Sequence, residues 1–222
     1  MGVLMKTHYY LGWFNNFFPE NLARMLQGDI TDRKSLAMIS SNPSIYENNG
    51  ATERSWLDQA GIMFDEYHLI NYRVQKEESQ TIIQNASVIF LLGGDILKLN
   101  SFLKEYGLSD LIKKSSAVVM GASAGAINMS AKWLCSKSFG DEVEMNSVYE
   151  GIGLDNFSVL SHFDLENNMA LVQSELSFLS EEIDIYASNK DCALRVKGDK
   201  IDVIGNVYLL SHSKIQKLEE TL

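Results

Sequence analysis

Cysteine, proline and positive charge are all scarce in this chain. Two cysteines, Cys135 and Cys192, in 222 residues are too few for a disulfide framework and show no metal-ligand spacing. They point to a reducing, cytoplasmic compartment. Lysine and arginine number 19 against 29 acidic residues, a formal charge of −10. Without a local basic cluster, that balance argues against nucleic acid or an anionic membrane as partner. No run of 18 apolar residues exists to span a bilayer. The opening MGVLMKTHYYLGWFNNFFPE lacks a basic start and is broken by Asn15, Asn16 and Pro19, so no secretory signal is expected. The phosphate-cradling patterns GxGxxG and GxxxxGK[ST] are missing, which weighs against a nucleotide or flavin binder. Nothing calls for a cofactor or a metal.

What is present is an ordinary globular balance, 45% hydrophobic and 22% charged, with no internal repeat and no linker. One domain over residues 1–222 is the expectation. Strand-like and helix-like stretches alternate. Strands are expected at 8–14, 35–41, 63–70, 87–94 and 117–121, with helices at 19–27, 51–62, 77–86 and 96–106. SVIFLLGG (87–94) is almost continuously apolar, as a strand buried on both faces should be. Further on, a strand at 157–163, a helix at 166–182 and a hairpin over 193–210 complete the pattern. Alternation of this kind predicts right-handed βαβ units. The fold class is therefore α/β: a three-layer sandwich with a mostly parallel central sheet, helices on both faces and a C-terminal β-hairpin.

One stretch carries chemistry. SSAVVMGASAGAINMSAKWL (115–134) turns from β-formers to helix-formers at Ser123. Gly121-Ala122-Ser123-Ala124-Gly125 has the form GxSxG between a strand and a helix, the context of a nucleophile elbow. In so tight a turn the residues on either side of the serine face each other, and glycine removes the clash a Cβ would make. The bland alternative is a glycine-rich turn whose serine caps the helix. Gly93-Gly94-Asp95 ends the neighbouring apolar strand at the same sheet edge. Its bare main chain could supply a second donor to a developing oxyanion, or could be a simple strand exit.

Of the four histidines, His8 and His68 fall inside expected strands and His212 near the end of the chain. His162 follows an expected strand, in LSHFD. It is placed either to act as a general base at neutral pH or to bond Asp164.

The succession LLGGDILKL, VVMGASAGAIN, LSHFD resembles the peptidase E (aspartyl dipeptidase) family of serine peptidases, relatives of cyanophycinases and of class I glutamine-amidotransferase-like proteins. The likeness runs from the first strand to the closing hairpin. It implies Ser123 as nucleophile, His162 as base, and the amides of Gly94 and Ala124 as the oxyanion hole. Substrate contacts are implied at Gly93, Asp95 and the trailing Asn128. The substrate would be a short peptide with an N-terminal acidic residue, on a monomer or homodimer. Arg195, Lys190 and Lys132 are the basic groups available to select the acid. The family's orienting carboxylate precedes a late A-(I/L)-x-V strand, where this chain reads Asn189-Lys190-Asp191. Asp191 completes the triad, Asn189 replaces it as an amide, or the triad is incomplete. The last case implies a catalytically impaired relative that binds a small ligand or partner.

Overall fold

The computed structural model describes residues 6–46 and 50–221. The first five residues of the opening apolar stretch lie outside that range. In chain order the first half runs β1 (Thr7–Leu11), α1 (Glu20–Asp29), β2 (Ser35–Ile39), α2 (Ala51–Gln59), β3 (Glu66–Ile70), α3 (Lys76–Asn85), β4 (Val88–Leu91), α4 (Ile96–Glu105), α5 (Ser109–Lys114), β5 (Val118–Ala122) and α6 (Ala124–Met129). The second half runs β6 (Lys132–Cys135), β7 (Ser147–Glu150), β8 (Ser158–Leu160), α7 (Leu165–Ser180), β9 (Ile185–Ser188), β10 (Ala193–Lys197), β11 (Lys200–Ile204), β12 (Val207–Ser211) and β13 (Lys214–Lys217).

Seven strands form the central sheet in the order β11-β10-β1-β5-β4-β2-β3. The five from β1 to β3 in that order are parallel, and β10 and β11 are added antiparallel. Alternate residues of each parallel strand enter opposite cores, as a two-residue period requires. Leu36, Met38, Val88, Phe90 and Met120 pack with Leu22 and Leu26 of α1 and Trp56 and Leu57 of α2. Ala37, Ile39, Ile89, Leu91 and Val119 pack with Ile83 of α3, Leu99 and Phe102 of α4 and Ile112 of α5. These are the three expected layers. Each fully buried aliphatic or aromatic side chain contributes about 1.5–3 kcal/mol, so the strand ends that carry the site are rigidly held.

The second half departs from expectation. The hairpin foreseen over 193–210 exists as β10–β11, but at Gly205-Asn206 the chain leaves the sheet. β12 joins a separate four-stranded sheet, β13-β12-β9-β8, packed under α7 by Leu176, Leu179, Ile185, Ala187 and Leu210. A further hairpin, β6–β7, and the short helix α5 were not foreseen. The strand expected at 8–14 ends at Leu11, where Gly12 turns the chain out to form a loop beside residues 189–192.

Candidate active site

β4 and β5 pair with Leu91 opposite Gly121, so their ends are flush. Ser123 and the Gly93-Gly94 turn therefore leave the sheet at one edge. Ser123 stands between β5 and α6 with φ 48° and ψ −111°, a backbone that side-chain-bearing residues rarely adopt. A Cβ on Gly121 would lie 2.5 Å from the carbonyl carbon of Gly125 and 2.6 Å from the amide nitrogen of Ala126. One on Gly125 would lie 2.6 Å from the carbonyl carbon of Leu91. The two glycines of the motif are thus obligatory for the turn. The turn is fixed by the Ser123 amide donating to the Leu11 carbonyl and the Ile127 amide donating to the Ser123 carbonyl, both at 3.0 Å.

The Oγ of Ser123 lies 2.7 Å from Nε2 of His162. His162 follows β8, also with left-handed φ, 45°. Its segment is held by β9: the Phe163 amide donates to the Ser188 carbonyl at 2.9 Å, and the Leu165 amide to Oδ1 of Asn189 at 3.2 Å. Burial lowers the pKa of the imidazole below the usual histidine value, the nearby Lys190 charge adds to this, and a hydrogen bond to its own main-chain carbonyl opposes it. The ring is therefore neutral at pH 7, and with its proton on Nδ1 it presents Nε2 as acceptor to the serine hydroxyl.

No carboxylate bonds His162 among the described residues. Asp191 is a correction to the expected triad: its carboxylate accepts from the Asn15 amide at 3.2 Å, and its own amide donates to the Trp13 carbonyl at 3.1 Å. With φ 56° at Asp191, the turn directs that side chain onto the loop after β1 instead of the imidazole. Asn189 serves the histidine segment through the Leu165 amide, not through the ring. Asp164 caps α7, accepting from Asn167.

The double-glycine turn divides into two roles. The Gly93 amide donates to Oε1 of Glu53 at 3.0 Å, its carbonyl accepts from the Ser41 hydroxyl, and Trp13 lies so close that a Cβ on Gly93 would sit 2.7 Å from its ring. Gly93 thus supports the turn and has no main-chain donor left for substrate, contrary to expectation. The amides of Gly94 and Ala124 have no protein acceptor among the described residues. Asn128 is a third correction. It is fully buried, donates to the carbonyls of Ile96 and Ala124 at 3.0 Å each and accepts from Asn100 at 2.9 Å. It joins α6 to α4 and cannot reach a substrate.

Beside Gly94 opens a cleft of about 630 Å³, lined also by Asp95, Lys98, Cys135, Asp141 and Glu142. Asp95 caps α4 through the Lys98 amide at 2.9 Å and pairs with the Lys98 ammonium at 3.0 Å. Cys135 is no rival nucleophile, because burial, with Asp141 beside it, pushes its thiol up to about 12. Two of the three basic candidates are engaged elsewhere: Arg195 with Asp29 and Asp202, and Lys132 with Glu182. Lys190 is the one whose charge reaches His162. Sequence reading missed Glu53, Ser41 and Trp13. No local pattern marks them, since each meets the glycine turn only through tertiary packing.

A serine raised on a strand-to-helix turn, an imidazole on its hydroxyl and free amides alongside define the serine-hydrolase arrangement on an α/β sheet. The model of Peptidase family S51 matches residues 37–204. The chain belongs to that family. It is 29% identical over 171 residues to a cyanophycinase of Geminocystis herdmanii (strain PCC 6308), a match covering 73% of this chain and 59% of the relative. The chain thus spans under two thirds of that relative's length. Its fold matches a crystal structure of a peptidase from an acI-B1 Actinobacterium, with TM-score 0.68, 21% identity and coverage of 97% and 95% of the two chains. It also matches a putative peptidase E from Listeria monocytogenes EGD-e, with TM-score 0.66, 17% identity and coverage of 97% and 100%. Among the described residues no helix is long and apolar enough to cross a membrane.

Proposed function

We propose that the chain hydrolyses short peptides through an acyl-enzyme on Ser123. The observation that carries this is the 2.7 Å contact of the Ser123 hydroxyl with Nε2 of His162. His162 takes the hydroxyl proton as Oγ attacks the scissile carbonyl. The Gly94 and Ala124 amides receive the oxyanion, His162 protonates the leaving amine, and water then releases the acyl group. The base acts as half of a Ser–His pair, its ring oriented by its own main chain and by the β9 contacts.

For substrate, the resemblance to peptidase E supports a dipeptide with an N-terminal aspartate. Lys190 is the cation available for the aspartyl carboxylate, and Asp95, Asp141 and Glu142 suit an N-terminal ammonium. The relative named cyanophycinase supports cyanophycin as the alternative substrate. Free, buried Cys135 and Cys192 accord with a reducing, cytoplasmic setting. That no carboxylate among the described residues partners the imidazole favours a second reading, a family member that binds its peptide and turns it over poorly or not at all.

A fluorophosphonate probe with mass spectrometry separates the two. Labelling of Ser123, lost in His162→Ala, supports the hydrolase; native protein left unlabelled supports the binder. Turnover of Asp-X dipeptides, neutral dipeptides and cyanophycin then assigns the substrate. Equal rates on acidic and neutral dipeptides would remove the aspartyl preference.

A further inference from the structure

Glu53 lies in the first turn of α2, 4% exposed, with its carboxylate on the Gly93 amide at 3.0 Å. A buried carboxylate is costly unless hydrogen bonds compensate it. This one has the Gly93 amide and its own, which favour the charged form against a burial that raises its pKa. On the other side of the same glycine, the buried Ser41 donates its hydroxyl to the Gly93 carbonyl. A trans peptide is planar, with its C=O and N–H pointing in opposite directions. Fixing the Gly93 carbonyl on Ser41 therefore aims the next amide, that of Gly94, away from Ser41. Gly94 itself holds φ 132°, so the turn has no intrinsic preference that would keep this plane in place. Trp13 closes the remaining face of Gly93.

We propose that Glu53 and Ser41 are positioning residues for acyl transfer, clamping both polar ends of Gly93 so that the Gly94 amide is presented to the oxyanion. This rests on the hydrolase reading above and adds to it the device that orients one of its two donors. Glu53 acts on the turn through the Gly93 amide alone, so a neutral acceptor of the same length preserves its effect. Ser41 acts through a donated hydrogen bond, which alanine removes with little change of volume.

The test uses the fluorophosphonate probe on the full chain, with the inactivation rate constant separated from the probe's binding constant, for Glu53→Gln, Glu53→Leu and Ser41→Ala. Near-UV circular dichroism confirms the fold of each. A misaimed donor weakens the transition state and leaves the probe's affinity alone. Glu53→Leu and Ser41→Ala should therefore lower the inactivation rate constant about 10²-fold with binding unchanged, while Glu53→Gln stays within about fivefold of the parent. Should Glu53→Leu fail to fold, Ser41→Ala carries the same expectation. Parent-like rates in folded Glu53→Leu and Ser41→Ala, or a loss confined to probe binding, would overturn the clamp and leave the hydrolase reading standing. A parent protein that is not labelled at Ser123 overturns the hydrolase reading and the clamp together.

Discussion

Ser123 and His162 meet at 2.7 Å from two backbones that are both left-handed, φ 48° and 45°. Neither residue has glycine's freedom, and each such conformation costs about 1–3 kcal/mol. The flanking elements hold them there: β1 and α6 grip the serine through its amide and carbonyl, and β9 grips the chain after the histidine. The hydroxyl and the imidazole are thus in contact before any substrate arrives. Replacing Ser123 by glycine should relieve the strain at one of the two positions. Ser123→Gly is expected to gain about 1 kcal/mol, a rise in Tm of about 2–4 °C, while abolishing probe labelling. A Tm at or below that of the parent would show the turn to be unstrained.

In the proposed mechanism the imidazole sets the acid limb of the reaction. Burial and then Lys190 lower its pKa below the usual value of about 6.5. The rate of Ser123 labelling should rise with pH to a midpoint below 6.5 and be flat through pH 7–8. Lys190→Ala should move the midpoint upward, and added salt should do the same in the parent because that charge is exposed. The sign for stability follows. A histidine whose pKa is depressed in the fold binds its proton more tightly when unfolded. Its contribution is present above about 6.5 and is lost as pH falls through the folded value. A midpoint above 6.5, or one unmoved by Lys190→Ala, would contradict the assignment.

Asp191 tests whether a carboxylate matters at all. Loss of a triad carboxylate costs about 10⁴-fold, whereas Asp191 only tethers the Asn15 amide. Asp191→Asn keeps an acceptor there and should label within about threefold of the parent. Asp191→Ala should lose no more than about tenfold, with its pH profile unchanged. A 10³-fold or greater loss in Asp191→Asn would restore it to the catalytic group.

Local sterics made the elbow legible, while long-range geometry hid its supports. GxSxG at a strand-to-helix change can be read from five residues because the constraint on Gly121 comes from within the motif, at Gly125 and Ala126, whereas the one on Gly125 comes from Leu91 of the neighbouring strand. The alternation of strands and helices likewise placed Gly94 and Ser123 at one edge, which the pairing of Leu91 with Gly121 bears out. The direction of the Asp191 carboxylate depends on one left-handed residue in a loop, and no pattern announces that. Glu53 looks like any acidic residue in the first turn of a helix until the Gly93 amide is brought against it. The strand at β8 was expected, but its sheet escaped notice because β9 has four residues, too few for a period to show, and because Gly205-Asn206 divides what reads as one hairpin.

Asn128 separates structure from recognition. A substrate-binding asparagine, once removed, would raise KM and leave the fold intact. The residue found here is fully buried and shares its amide among Ile96, Ala124 and Asn100. Asn128→Ala removes three buried side-chain hydrogen bonds from the α4–α6 contact, each contributing about 0.5–1.5 kcal/mol, and leaves the Asn100 amide short of one acceptor. Asn128→Asp keeps the acceptor for Asn100 but sets carboxylate oxygens against the two carbonyls, so it should be no milder. Both variants are expected to lose about 3 kcal/mol or more, a Tm lower by about 6–12 °C. Below that Tm, the folded fraction should label Ser123 with the parent's probe affinity. An alanine variant of parent-like Tm with weakened probe or substrate binding would return Asn128 to the substrate site.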